Sequence, residues 1–217
     1  MDSSKFNLLV ENSYEYFMRH GVGPSDLRKV EEIYSNNRIC VLGFSGALGE
    51  SLSIVFSICK VTPSELVLVG RKDSASDCWN HYIRNTNIQN VKFMDPDEAL
   101  ESYRDSIVFY FLGYAQPAKF MSDPESLIKI NGQYLLRLLD KNPRNLIYSS
   151  TSEIYSGHDQ VCNEYANLVI KPSHPRGIYV YSKLLGESII GASNVDSLQC
   201  RISLATPPYW SMHDQRL

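Results

Sequence analysis

Tyr179 and Lys183 stand four residues apart in Pro175-Arg-Gly-Ile-Tyr-Val-Tyr-Ser-Lys183. On a helix that spacing puts both on one face, whereas Tyr181, two before the lysine, faces away from it. An ammonium group beside a phenol favours the phenolate and lowers the phenol's pKa, which makes a working base of a weak acid. Upstream, Asn145-Leu-Ile-Tyr148 runs into Ser149-Ser-Thr-Ser-Glu-Ile-Tyr155, a hydroxyl-rich stretch with one carboxylate. Glu153 is there either as a second proton acceptor or as a loop carboxylate. The serines lack the Gly-x-Ser-x-Gly setting of a hydrolase elbow, which argues against a serine nucleophile.

A second constellation lies earlier. The apolar run Ile39 to Leu42 is followed by glycines at 43, 46 and 49, then by apolar residues at helical spacing through Leu52, Val55 and Phe56. That reads as strand, tight turn, helix. The glycines permit the turn, the close approach of backbone to a diphosphate, and the packing of helix on strand, while the N–H groups at the helix start face the anion. The next apolar run, Glu65-Leu-Val-Leu-Val69, ends in Gly70-Arg71-Lys72. An acid there would bind the ribose hydroxyls of NAD, and an Arg suits the extra phosphate of NADP. No acid is present, so the expected cofactor is NAD(P) with a lean to NADP, although a solvated Arg71 at a strand end is also ordinary. Asp95 either meets the adenine edge or is a turn aspartate before Pro96.

The elements that must position these groups alternate. Strands are expected over 38–42, 65–69, 90–95, 106–112, 145–148 and 198–204, with a long helix from Pro124 through Leu127, Ile130, Leu135, Leu138 and Leu139. This predicts an α/β fold, a Rossmann-type doubly wound parallel sheet covered on both faces. Residues 1–37 precede it as an N-terminal helical extension of two amphipathic helices parted at Gly21–Pro24, the second capped by Ser25. Residues 38–217 form the NAD(P)-binding domain.

The 217 residues carry a net charge of −3 with mixed signs and no basic block, which speaks against nucleic acid and membrane surfaces as partners. No apolar run reaches spanning length. The cysteines at 40, 59, 78, 162 and 200 lack ligand spacing and read as buried reduced thiols of a cytoplasmic protein, with no metal site. The five histidines fall in no ligand or nucleophile spacing and read as surface or loop residues.

Taken together in this order, the glycine turn, Thr151, Tyr179 with Lys183, and Asn131 in the helix after the fourth strand resemble the extended short-chain dehydrogenase/reductase family, in its nucleotide-sugar epimerase, dehydratase and decarboxylase branch. Leu112-Gly-Tyr-Ala-Gln-Pro-Ala-Lys-Phe120 with Pro124 is similar to the branch's segment along cofactor and sugar. Thr151-Ser-Glu153 with Pro175-Arg176 resembles UDP-glucuronate decarboxylases and GDP-mannose 4,6-dehydratases more than galactose epimerases. The resemblance implies a catalytic set of Thr151, Glu153, Tyr179 and Lys183. It implies cofactor contacts from Gly43, Ser45, Gly46, Leu48 and Gly49, from Arg71, Asp95 and Leu112, and from Tyr179 and Lys183 themselves. Ser152, Asn131 and Arg176 would meet the substrate.

The implied reaction begins with Tyr179 taking the proton of the sugar 4-hydroxyl while C4 is oxidised, Thr151 holding that oxygen. Glu153 would then take a C5 proton for loss of water, or a C6 carboxylate would leave as carbon dioxide. A homodimer through the Tyr179 helix and the helix from Pro124 is also implied. Departures are visible: Leu204, Thr206 and Pro207 stand where the family has Asn, Tyr and Gly, and Phe111 and Gly113 differ from its His-Leu-Ala. The chain ends at His213-Asp-Gln-Arg-Leu217, where the family's substrate-closing domain begins. The C-terminal substrate domain is therefore expected to be truncated or absent, and the alternative to an enzyme is a non-catalytic NAD(P)-binding module or a truncated remnant.

Overall fold

The Val, Ile and Leu runs become strands because a segment this apolar is stable only with both faces covered, as in a parallel sheet between helical layers. In the computed structural model, which describes residues 1–71, 76–113, 122–170 and 173–203, they are β1 (Arg38–Leu42), β2 (Glu65–Val69), β3 (Val91–Met94), β4 (Ile107–Tyr110), β5 (Asn145–Thr151) and β6 (Asp196–Ile202). All pair in parallel, in the order β3-β2-β1-β4-β5-β6. The Rossmann-type expectation holds, with shifted ends. β3 and β4 are shorter than read, β5 runs on to Thr151, and β6 starts two residues early, at Asp196 instead of Leu198.

The helices are α1 (Ser3–Arg19), α2 (Pro24–Tyr34), α3 (Ala47–Ile58), α4 (Asp77–Thr86), α5 (124–139) and α6 (Gly177–Gly191), with 3₁₀ turns at Leu100–Tyr103 and Ser152–Tyr155. Right-handed crossovers put α3 and α4 on one face of β1–β3 and α5 and α6 on the other face of β4–β6. The side chains sort accordingly. Ile39, Val41, Leu66, Leu68 and Phe109 join one core with Ile54, Phe56, Trp79 and Tyr82, and Cys40, Leu42, Val108, Tyr110 and Tyr148 join the other with Leu135, Leu138 and Ile190.

That winding leaves β4 uncovered on the α3 side, where α2 packs, while α1 lies against α3 and α4. Tyr34 of α2 packs on Phe109 with ring centroids 5.4 Å apart and on Phe56 at 5.9 Å. Phe6 of α1 is 1% exposed and stacks on His81 at 5.2 Å. His81 also meets the Met1 carbonyl through Nε2 at 2.8 Å and the Ser3 hydroxyl through Nδ1 at 3.3 Å. This corrects the reading of every histidine as superficial: His81 is buried, because it lies on the side of α4 against which α1 packs. The α2 cap is corrected too. Gly23 is the N-cap and Asp26 accepts its N–H at 3.0 Å, leaving Ser25 without that role. Cys40, Cys59 and Cys78 are buried as free thiols, but Cys162 and Cys200 are half-exposed. Among the described residues no cluster of three or more ligand-type side chains could hold a metal, and no helix is long and apolar enough to cross a membrane.

If α1 is part of the core, Phe6→Ala should cost about 3–5 kcal/mol in chemical denaturation, whereas Leu8→Ala, at an exposed position of the same helix, should change stability by no more than about 0.5 kcal/mol. Equal effects would mean that α1 is not docked.

Candidate functional site

The strand order reverses at β1, and the crevice at its carboxyl end is opened by the glycine turn. Gly43 adopts φ +78°, and a Cβ there would lie 2.8 Å from the Phe111 carbonyl oxygen at the end of β4. Gly43 N–H donates to the Val69 carbonyl at 2.9 Å and Gly46 N–H returns to the Gly43 carbonyl at 3.0 Å, closing the turn. Gly46 is the N-cap of α3, and the N–H groups of Ala47 and Leu48 lie in a first turn that has no intrahelical acceptor for them. A Cβ at Gly49 would overlap the Phe44 backbone, so that residue lets α3 close on the turn. Side-chain-free backbone and unsatisfied donors at the start of a 12-residue helix fit the diphosphate of a dinucleotide. Ser45 is exposed and Leu48 half-buried along this loop, and Leu112 flanks Gly43 from the β4 side. Arg71 is exposed just past β2, and Asp95 is half-buried past β3 with its own N–H on Glu98 at 3.4 Å.

Across the crevice, β5 ends at Thr151, which is buried and whose Oγ1 accepts from Glu153 N–H at 3.3 Å, starting the 3₁₀ turn. Tyr179, in the first turn of α6, is half-buried and lies beside the Thr151 side chain. Burial pushes its phenol above the ordinary value, Thr151 pulls it back, Glu153 pushes it up and Arg176 pulls it down. Lys183 lies one turn on. Its Nζ donates to the Ser149 carbonyl at 2.8 Å and sits 5.0 Å from the centroid of the Tyr148 ring. Burial pushes this ammonium down to about 8. The expectation that Lys183 lowers the phenol's pKa is therefore corrected: the ammonium is spent on a carbonyl and a ring face, and the phenol stays high. Tyr181 is exposed on another side of α6, as its spacing requires.

Tyr148 is the post on which this arrangement stands. Its hydroxyl donates to Asn131 Oδ1 at 2.9 Å and lies 3.5 Å from the Lys183 carbonyl. A Cβ at Gly186 would overlap that hydroxyl, so glycine lets α6 approach β5. Asn131 is 0% exposed, and its Nδ2 donates to Ser182 Oγ at 3.2 Å and to the Leu127 carbonyl at 3.3 Å. It joins α5 to β5 and α6 and has no open side for a substrate, which corrects its assignment to the sugar. The helix expected from Pro124 is interrupted: it is α over Pro124–Ile128, π over Lys129–Tyr134 and α over Leu135–Leu139. Tyr110 OH takes up the Ile130 carbonyl at 2.6 Å. Spacing of apolar residues carries no signal for such a π segment.

On the outer side, Glu153 Oε1 accepts from Arg176 Nη2 at 2.6 Å, and Ser152 is half-buried at the start of the turn. Arg176 is the residue before α6. The positions of Leu204, Thr206 and Pro207, the segment 114–120, Lys72 and the stretch 213–217 lie outside the described residues. Sequence reading passed over a deeper set, Ser150, Tyr155 and Arg201 around Glu187. An ionic residue inside an apolar strand, Arg201 in Leu198–Leu204, was the available signal.

The model of the NAD dependent epimerase/dehydratase family matches residues 39–208. No curated protein matches the chain. Among solved structures, epimerase Mth375 from Methanothermobacter thermautotrophicus superposes with a TM-score of 0.62 at 20% identity, covering 81% of this chain and 54% of that one. UDP-N-acetylglucosamine 4-epimerase from Methanobrevibacter ruminantium M1, in complex with UDP-N-acetylmuramic acid, gives 0.58 at 20% identity, covering 77% and 55%. The dTDP-glucose 4,6-dehydratase DesIV from Streptomyces venezuelae, with NAD bound, gives 0.59 at 16% identity, covering 76% and 55%. The chain thus spans about half the length of these structures.

Two outcomes test the geometry. Gly186→Ala should destabilise the fold by about 1–3 kcal/mol, and Tyr148→Phe in that background should recover part of the loss; additive losses would show that the hydroxyl and Gly186 are not in contact. For Lys183, the folded chain binds fewer protons than the unfolded chain between pH 8 and pH 10.5, so stability gains with pH across that window. Below it both states hold the proton and the burial penalty stands in full, of order 3 kcal/mol. The stability of Lys183→Met relative to wild type should be greatest near pH 7 and fall toward pH 10.5. A difference independent of pH would show that the amine is not desolvated.

Proposed function

The chain belongs to the NAD dependent epimerase/dehydratase family, and on that premise we propose that it is an NAD(P)-dependent enzyme that modifies nucleotide sugars through transient oxidation at C4. Dehydratase or decarboxylase chemistry is preferred to epimerisation. The observation that carries the reading is the placement of Tyr179 against Thr151 at the carboxyl end of β5, with the Lys183 ammonium one helical turn further on the buried side of α6. In this reading Tyr179 removes the proton of the sugar 4-hydroxyl and Thr151 hydrogen-bonds the same oxygen. When bound, the nicotinamide accepts the C4 hydride and later returns it, so the cofactor is regenerated. The 4-ketone acidifies C5. Glu153 takes the C5 proton as hydroxide leaves C6, or a C6 carboxylate, β to the ketone, departs as carbon dioxide. Glu153 reaches the sugar by turning from Arg176, its partner on the outer side of the turn.

Arg71, exposed past β2 with no acid beside it in sequence, supports NADP over NAD. Exposed Ile128 and Leu136 on α5 and Leu185 on α6 suit a homodimer through those helices. The buried free thiols suit a reducing, cytoplasmic setting. Leu204, standing where the family resemblance leads one to expect Asn, favours one other reading, a cofactor-binding module that does not turn over sugar.

Incubation with NAD or NADP and a panel of nucleotide sugars should give transient reduced-cofactor absorbance and a 4-keto or decarboxylated product, with Tyr179→Phe slower by about a hundredfold or more. Absence of both signals with every sugar would sink the enzymatic reading. Calorimetry then decides for the module if NAD(P) binds and no nucleotide sugar does. The same titrations should find NADP tighter than NAD, and Arg71→Ala should erase that preference.

A further inference from the structure

Beneath the turn that carries Thr151 and Glu153 lies a second layer of charge that the proposed chemistry does not use. Glu187 is 8% exposed, on α6 one turn past Lys183 and two past Tyr179. Arg201 of β6 grips it with both arms of its fork, Nε to Oε1 at 3.1 Å and Nη2 to Oε2 at 2.8 Å. The remaining arm, Nη1, donates to the Tyr155 hydroxyl and to the Glu164 carbonyl at 3.2 Å, and the guanidinium carbon lies 5.3 Å from the Tyr155 ring centroid. Glu187 Oε1 accepts in addition from the Ser150 hydroxyl. Ser150 precedes Thr151 on β5 and Tyr155 closes the 3₁₀ turn, so the two residues bracket Thr151 to Ile154.

We propose that Glu187 and Arg201 are positioning residues, a clamp that fixes the 150–155 turn to α6 and thereby sets Thr151 against Tyr179. The carboxylate reaches the front of the turn through Ser150, and the guanidinium reaches its back through Tyr155. Both ends are therefore referred to the helix that bears Tyr179 and Lys183. A buried ion pair adds little to stability compared with apolar residues of the same size. What a bidentate pair supplies that an apolar contact does not is a defined distance and orientation between β6, α6 and the turn. The catalytic consequence rests on the reading of Thr151 and Tyr179 as the reacting pair; the clamp itself does not.

Hydrogen exchange of the full-length chain separates the two. Tyr155→Phe, which removes one hydroxyl and leaves the ion pair intact, and Arg201→Gln should each speed exchange in 149–158 by about tenfold, while peptides of β1 and β2 exchange as in wild type. Phe6→Leu serves as the control for general loosening. With a turned-over sugar in hand, both variants should lower kcat by about a hundredfold with KM and the NAD(P) Kd changed no more than about twofold, and Arg201→Lys, which keeps charge but not the fork, should restore only part. Exchange that rises evenly over the sheet, as in the control, or not at all in 149–158, overturns the clamp. Localised exchange with unchanged kcat overturns its positioning role. If wild type turns over no sugar, the enzymatic reading falls and the exchange pattern alone decides the clamp.

Discussion

The hydroxyl of Tyr148 is the contact on which the rest of this structure depends. It stands at the junction of β5, α5 and α6, donating to Asn131 and touching Gly186, while its ring face carries the Lys183 ammonium. Each of these contacts excludes an ordinary substitute. Asn131 has to offer an acceptor to the phenol and donors to Ser182 and Leu127 at once. Gly186 must lack a side chain, and a buried amine needs the Ser149 carbonyl and an electron-rich ring in place of water. The junction brings α6 close enough to β5 for Thr151 and Tyr179 to meet, and it holds a titratable amine in a site that taxes its charge.

The π segment of α5 belongs to the same solution. Winding residues 129–134 more loosely shifts the register of the helix, and Tyr110 OH donates from β4 to its Ile130 carbonyl. Tyr134 is turned inward as well, its hydroxyl paired with Tyr103 at 2.6 Å and with the Pro96 carbonyl. Tyr110 thus bonds a carbonyl of the π segment, while Tyr134 and Tyr103 tie that segment to the Pro96 carbonyl after β3. A locally weaker helix is tolerated because its neighbours supply the hydrogen bonds, a usual condition for such segments near functional sites.

The legible parts of this chain were those with a local physical signature. β1, β2 and β5 announce themselves by apolar runs, the turn by glycines whose added Cβ atoms would strike Phe111 and Phe44, and the Tyr179–Lys183 pair by its four-residue spacing. Contacts between distant residues were not legible. His81 looks like a surface residue until α1, almost eighty positions away, is found packed on it. Asn131 looks available to substrate until Tyr148 and Ser182 close around it. Lys183 was read as the partner of Tyr179 because spacing gives a shared helical face; it says nothing about a carbonyl at the end of β5 that competes for the same ammonium. The α4 helix shows the same limit, since Trp79 and Tyr82 are core residues only once α3 lies over them.

Two guanidinium–carboxylate pairs flank the turn after β5, and their different burial gives them different work. In the inner pair, Arg201 and Glu187 are 24% and 9% exposed at the side chain and share a bidentate contact. In the outer pair, Arg176 and Glu153 are 39% and 28% exposed and share one contact at 2.6 Å. Separating a buried pair by removing one partner costs about 3–5 kcal/mol, whereas an exposed pair is worth about 0–1 kcal/mol. The outer pair lies nearer the second limit and separates at small cost. The inner pair lies nearer the first and is the harder of the two to open. On the reading proposed above, a turn with a rigid root and a releasable carboxylate would let Glu153 change partners while Thr151, closer to the root, keeps its place beside Tyr179.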